Sequence, residues 1–270
     1  GTVGLKRLIC LPVILASGMI LDSIHGLIER RVLLNYRIDP NVLLQVLPKP
    51  FRPKLYSGYG VGGVCMIRFG QLRPRLFPSW LGMASENAAH RIAVEWDQDG
   101  TLQEGVYIPR RDTNSWFNKT LGGVVFPGIF QRSQFQVQES ETQLSLSVLR
   151  QDGGTEIAFR GSLAGSLPAQ SIFPSLAEAA GFFSLGAIGY SATHTPGHYH
   201  GMELRSLDWT IAPLSVEAAK SCVFDDPQYF PAGSAEVDCA LLMRGISHEW
   251  HSRPDLYLSE DGDSLTSQKR

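Results

Sequence analysis

Period-two alternation of apolar residues, broken at short intervals by turn signals, is the strongest constraint on this chain. Phe135 and Val137 open one alternation, and Leu144, Leu146 and Val148 continue another. Gln151-Asp-Gly-Gly154 turns the chain, and Ile157 and Phe159 return it. A second hairpin follows the same grammar. Ile92, Val94 and Trp96 alternate, Asp97-Gln-Asp-Gly100 is a turn signal, and Gly105-Val-Tyr-Ile108 answers it. Successive strand side chains point to opposite faces, so each run buries one face. Tyr59 to Phe69 reads as a further strand with a Gly-rich start. With Gly 27 and Pro 16, this pattern excludes a helical bundle. It predicts a mainly antiparallel β domain that closes into a barrel or cone, with few helices.

Three helices are expected. One runs from Asn41 to Leu47 behind Asp39-Pro40, and a second begins at Ser175 with Glu178 in capping-box spacing. A third spans Ser215 to Phe224 and ends before Asp225-Asp226-Pro227. No repeat or linker divides the chain. The expected organisation is an N-terminal extension over 1–23, one domain over 24–258, and a polar, frayed tail over 259–270. Lys6-Arg7 followed by the apolar run Leu8–Leu21 imitates a signal peptide, but Pro12, Gly18 and the following Asp22 favour a buried or docked segment.

Charge narrows the function classes. Lys+Arg 24 against Asp+Glu 26 gives a net charge of −2, so the chain lacks the basic footprint of a nucleic-acid binder. Cys10, Cys65, Cys222 and Cys239 form no CxxC pair, which suits reduced thiols and a cytoplasmic location. Six of the 24 cations are lysine: Lys6, Lys49, Lys54, Lys119, Lys220 and Lys269. A guanidinium cannot serve as an amine nucleophile, so amine catalysis has few candidates.

The densest polar stretches are Ser85–Arg91 and Tyr107–Ser115. Glu86, His90, Arg91, Arg110, Arg111, Asp112 and Asn114 are expected to converge at one sheet end. There a carboxylate would stay ionised beside guanidiniums that hold an anionic ligand. The bland alternative is a solvated, salt-bridged turn at Arg110-Arg111-Asp112, or a buried network that only fixes the hairpin. His194, His198 and His200 are weak metal candidates, with His198 and His200 on one face of a strand; a hydrogen-bonded loop is the favoured reading. His248-Glu-Trp-His251 has the spacing of a metal motif but no convincing helix. Gly122-Gly123 and Pro127-Gly128 lack a phosphate-loop lysine and read as tight turns.

These stretches also carry a resemblance. Glu29-Arg-Arg-Val-Leu-Leu-Asn-Tyr-Arg-Ile-Asp39, Val46-Leu-Pro-Lys-Pro-Phe51, Ser85–Trp96, Gly105–Asp112 and Gly122–Gly128 resemble the acetoacetate decarboxylase-like superfamily. Trp209, Pro213-Leu214 and Leu241–Arg244 extend the match, which covers roughly residues 24 to 253. The closer likeness is to a sister family of unknown function. The resemblance implies a β-barrel-like cone with an enclosed pocket, and suggests a homo-oligomer. In the decarboxylases a lysine after a proline forms a Schiff base with a β-keto acid. Here the corresponding Pro127 is followed by Gly128 and Ile129, and Lys119 lies eight residues earlier. The family's arginine falls at Glu29, with Arg30 and Arg31 just after it, and its glutamate at Glu86.

Four expectations follow. The first is an enzyme without a cofactor or a Schiff base, a lyase or hydrolase that uses Glu86 as acid/base. In it Arg30, His90, Arg110, Arg111, Asp112 and Asn114 bind a small carboxylate or carbonyl compound. The second is a non-catalytic binding protein on the same scaffold, and the third a decarboxylase with a displaced Lys119. In the fourth, the polar residues are structural only. No nucleic-acid or membrane partner is expected.

Overall fold

A computed structural model describes residues 23–74, 83–98, 100–115, 128–206, 210–259, 262 and 264–268. The first half lays down long strands: β1 (Ser23–Ile38), then helix α1 (Pro40–Val46), then β2 (Arg52–Pro53), β3 (Leu55–Tyr56) and β4 (Tyr59–Pro74). These are followed by β5 (Met83–Gln98) and β6 (Thr101–Thr113). The middle is a meander of β7 (Phe130–Arg132), β8 (Gln134–Glu139), β9 (Gln143–Leu149) and β10 (Thr155–Leu163). Helix α2 (Leu176–Leu185) then leads to β11 (Ile188–Ala192), β12 (His198–Ser206), β13 (Ala212–Ser221), the long β14 (Ala235–Leu258) and β15 (Leu265–Gln268).

The pairing order runs β1-β4-β5-β6-β11-β12-β14, and β1 pairs again with β14. Seven strands therefore close into a ring. Closure removes the exposed edges that a flat sheet would present. From β14 the sheet continues through β13, β10, β9 and β8 as a second layer. The predominantly β class and the closed strands agree with the alternation read in the sequence.

Two apolar cores separate by face. Val32 and Leu34 on β1, Val64 and Met66 on β4, and Ile92, Val94 and Trp96 on β5 pack with Leu144, Leu146, Val148, Ile157 and Phe159 of the second layer. The opposite face puts Leu33, Cys65, Ile67 and Phe69 with Met202, Leu241 and Met243, closed by Phe173, Ala179 and Phe183.

Both hairpins form as expected. The β5–β6 pair ends at Gln98 opposite Thr101, with Gly100 at φ +75°. The β9–β10 turn uses Gly153 at φ +86°, a conformation that glycine adopts without a Cβ penalty. Asp39 caps α1, its carboxylate accepting from the Asn41 N–H at 2.8 Å, with Pro40 at the first helical position. Ser175 caps α2 by accepting from the Glu178 N–H at 3.2 Å.

The expected helix over Ser215–Phe224 is not formed, because most of that segment is strand β13. Its Ala, Glu and Lys are good helix formers, but Leu214 opposite Leu163 and Ser215 opposite Ser162 complete a ladder with β10. Cross-strand pairing and burial override local propensity. The tail also differs from expectation. β15 pairs with β14, Leu265 opposite Leu258, and Leu265 is buried in the first core. Among the described residues no helix is long and apolar enough to cross a membrane; the Leu8–Leu21 run lies outside them.

Candidate functional site

Every strand of the ring contributes to one cavity. Arg31 and Leu33 come from β1, Cys65, Ile67 and Phe69 from β4, and Asn87 and Arg91 from β5. Ile108 and Arg111 of β6, Gly189 of β11, Met202 and Leu204 of β12 and Trp250 of β14 complete the circle. Lining from all seven strands places the cavity inside the ring. Phe183 and Gly186, at the end of α2, and Phe130 on β7 also line it. The space open to the centre of a water-sized sphere is about 90 Å³. One water needs roughly 10–15 Å³ on that measure, so the cavity suits a small organic molecule.

The chemistry of this wall is unbalanced. Three arginines line it, and no described lining residue is acidic. Arg91 donates from Nη2 to Asn35 Oδ1 at 2.6 Å, and its guanidinium lies over the Phe183 ring at 4.9 Å. Its Nε has no hydrogen-bond partner among the described residues. Arg111 donates from Nε to Ser191 Oγ at 3.1 Å and lies over Phe130 at 5.7 Å. Arg31 donates to Cys65 Sγ at 3.3 Å. Among the described residues, no carboxylate lies within ion-pair distance of Arg91 or Arg111. Burial pulls both guanidiniums down to about 10, and the Arg31 charge adds to the effect at Arg91. For the nearly inaccessible Arg91 a shift of that size corresponds to roughly 3 kcal/mol against the buried charge. An anion in the cavity would offset that cost.

Most of the residues expected to converge lie on the other face of the ring, against the second layer. Glu86 accepts from Arg30 Nη2 at 2.5 Å and from Arg68 Nη1 at 3.3 Å. Arg110 pairs with Asp112 at 3.0 Å and with Glu156 at 2.8 Å. Asp112 is fully buried and also accepts from Ser133 Oγ at 2.8 Å. Burial opposes the Arg110 charge, but the Asp112 carboxylate holds its pKa above the usual arginine value. His90 is enclosed, with Nε2 at 3.1 Å from Ser221 Oγ, and burial, aided by Arg110, pushes its pKa down to about 3. Asn114 clamps the strand end, its Oδ1 accepting from the Glu86 N–H at 3.0 Å. Of the expected ligand-binding set, Arg111 alone lines the cavity. The expected convergence is thus corrected to two sites on two faces.

A bulge decides the split. His90 faces Arg110 and Ile92 faces Tyr107, so Arg91 stands opposite two residues, Ile108 and Pro109. A bulge of this kind shifts side-chain parity along the strand. Val106 and Ile108 therefore face inward, yet so does Arg111. Pro109 is the readable signal, since proline inside a strand marks an edge or a bulge. On β1 parity alone separates Arg30, packed outside, from Arg31, packed inside. Lys119, Gly122, Gly123, Pro127 and Trp209 lie outside the described residues. The tight approach read at the glycine-rich stretch holds at Gly128, where φ is +106° and a Cβ would meet Ser191 at 2.6 Å.

The histidine motifs also resolve. His248 and His251 stand on β14, so they face opposite sides. His251 pairs with Glu249 at 2.8 Å, while His248 is buried near Phe69. Burial, then the nearby Arg31, lowers the His248 pKa to about 4. His194 is exposed. His198 and His200 do share a face of β12, and both meet Asp255.

The acetoacetate decarboxylase of Legionella pneumophila superposes with a TM-score of 0.57 at 11% identity over 85% of each chain. The enduracididine biosynthesis enzyme MppR, complexed with the condensation product of pyruvate and imidazole 4-carboxaldehyde, gives 0.55 at 11% over 88% of each chain. An acetoacetate decarboxylase-like enzyme from Sphingomonas wittichii RW1 gives 0.51 at 12%, over 92% of this chain and 93% of that one. At these identities the likeness is one of fold. No curated protein sequence matches. The sequence pattern of the DUF2071 family of uncharacterized conserved proteins covers residues 28–228 of this chain, which belongs to that family.

Proposed function

We propose that this protein binds a small organic carboxylate inside the ring, with Arg91 and Arg111 as the anion clamp and Arg31 beside them. The observation that carries the reading is the pair of cavity-lining guanidiniums without a described carboxylate partner, set in an apolar wall. In such a wall a charge-assisted hydrogen bond to a carboxylate is stronger than in water. Leu33, Ile67 and Phe183 would take the apolar part of the ligand. Glu86 is not given an acid/base role, because Arg30 and Arg68 hold it on the outer face.

The reading is ligand binding without Schiff-base decarboxylation. None of the described lysines, Lys49, Lys54 and Lys220, lines the cavity. Lys54 pairs instead with Glu104 at 2.6 Å. Calorimetry with acetoacetate, pyruvate and succinate, each beside its neutral amide, tests the clamp. Carboxylates are expected to bind at least tenfold tighter than the amides, and Arg111→Gln to remove that preference. Equal binding of acid and amide would overturn the clamp. Borohydride reduction in the presence of acetoacetate tests the lysine separately. The mass is expected to stay unchanged, and an adduct on Lys119 would restore the displaced-lysine decarboxylase.

A further inference from the structure

We propose that His198, His200 and Asp255 form a binding site for a divalent transition-metal ion at one end of the ring, independent of the carboxylate clamp. Three donor atoms from two strands lie within 4.8 Å of one another. His198 Nε2 is 2.9 Å and His200 Nδ1 is 2.8 Å from the same oxygen, Asp255 Oδ2. Two ligand atoms at tetrahedral angles around zinc stand about 3.3 Å apart. Lengthening the two N···O contacts by about half an ångström and bringing the two imidazole nitrogens, now within 4.8 Å of each other, to the same spacing would therefore seat an ion.

The backbone is arranged to bring Asp255 there. Tyr199 faces Leu256 and Gly201 faces Arg253, so His200 alone opposes Pro254 and Asp255. This is a second bulge with a proline in it, and such bulges re-aim side chains. Its effect is to turn a carboxylate that is only 2% exposed toward two imidazoles. A buried carboxylate is stable when paired or coordinating a metal, and a divalent ion would take the place of the two imidazole contacts that Asp255 makes.

The surroundings fit an ion. The Tyr257 ring stacks on His198 at 4.3 Å and 10°, fixing the imidazole plane. The Gly201 N–H points at Asp255 Oδ1 from 3.4 Å. Outer contacts of this sort orient metal ligands. The two imidazoles keep 18% and 24% exposure, which leaves an entry path. Two nitrogens and one carboxylate oxygen leave a fourth position for water or a ligand, and this donor set favours zinc-like ions over calcium or magnesium. His200 stands two residues from Met202 on the face that lines the cavity, about 6.6 Å along the strand.

The test uses the full chain without an affinity tag, freed of metal by chelator dialysis. Calorimetric titration with Zn²⁺ is expected to give one ion per chain, and Mg²⁺ none. His198→Gln and His200→Gln, both at partly exposed positions, are each expected to weaken Zn²⁺ at least tenfold, and His194→Gln to change nothing. Asp255→Asn should abolish binding, with near-ultraviolet circular dichroism to verify folding. The proposal is overturned if the protein takes up no Zn²⁺. It is overturned equally if the His198→Gln/His200→Gln double variant binds as tightly as the parent. A thiolate charge-transfer band on Co²⁺ substitution would also overturn it, by assigning the ion to cysteine.

Discussion

The two faces of β5 and β6 carry similar residues under opposite rules. Outside the ring, the enclosed guanidiniums described have carboxylates: Arg30 has Glu86, and Arg110 has Asp112 and Glu156. Inside, Arg91 and Arg111 meet an amide oxygen, a hydroxyl and two aromatic rings. Paired charges on the outer face lock one strand layer against another. Arg91 and Arg111, without a carboxylate partner among the described residues, carry a burial cost in the resting protein, and in the proposed function they meet a ligand. The residue types alone would not separate these roles; the partners do.

The contrast breaks most visibly at Asp112. Replacing it with Asn leaves Arg110 with Glu156 alone, so the expected loss is near the low end, about 3 kcal/mol, of what breaking a buried pair costs. Urea denaturation of Asp112→Asn is expected to show a loss of that size. Arg91→Gln, on the inner face, should cost little or raise stability, and a loss as large as that at Asp112 would erase the distinction between the faces.

The next effect is a pH dependence. His248 inside and His90 outside are both buried with pKa values pushed down, to about 4 and about 3. The unfolded chain takes up these protons near pH 6.5, while the folded chain does not. Stability from this source is therefore complete above about pH 6.5 and is lost as pH falls toward 4. For His248 the loss is roughly 3 kcal/mol over that window. Denaturation of His248→Phe as a function of pH should give a flatter acid limb than the parent.

A smaller effect sharpens the functional half of the comparison. Ligand affinity should fall at least tenfold in Arg111→Gln, about 1.4 kcal/mol, with the midpoint of unfolding nearly unmoved. Arg110→Gln is expected to do the reverse, losing stability while any folded fraction keeps the acid-over-amide preference. Smallest of all is the exposed pair Arg160–Glu217 at 3.3 Å. Arg160→Ala should change stability by less than about 1 kcal/mol, a baseline for the buried pairs.

Legibility in the sequence followed the range of the interactions. Alternation, the turn glycines and the Asp39 and Ser175 caps are local, and they identified strands, hairpins and two helices. The polar stretches at 85–91 and 107–115 were also readable as the chain's densest runs of charged and polar side chains. What was not readable was which face each residue takes. That depends on the bulge at Ile108-Pro109, which appears only when β5 is laid against β6. Without it Arg110 and Arg111 are two arginines in a row, and Arg30 and Arg31 another two. β13 failed for a related reason, since its partner β10 lies some fifty residues away in the chain. Asp255 entered no expected set because its neighbours His198 and His200 are distant in sequence.

The bulge at Pro109 has a consequence for how such a protein can change over generations. Deleting one residue there would flip everything beyond it on β6, sending Arg110 and Asp112 inward and Arg111 outward. A single-codon event would thus exchange what this end of β6 gives the cavity for what it gives the packing layer, without altering any other side chain. Lineages built on this ring could acquire a new pocket lining through an indel rather than through a series of substitutions, provided the second layer tolerates the exchange.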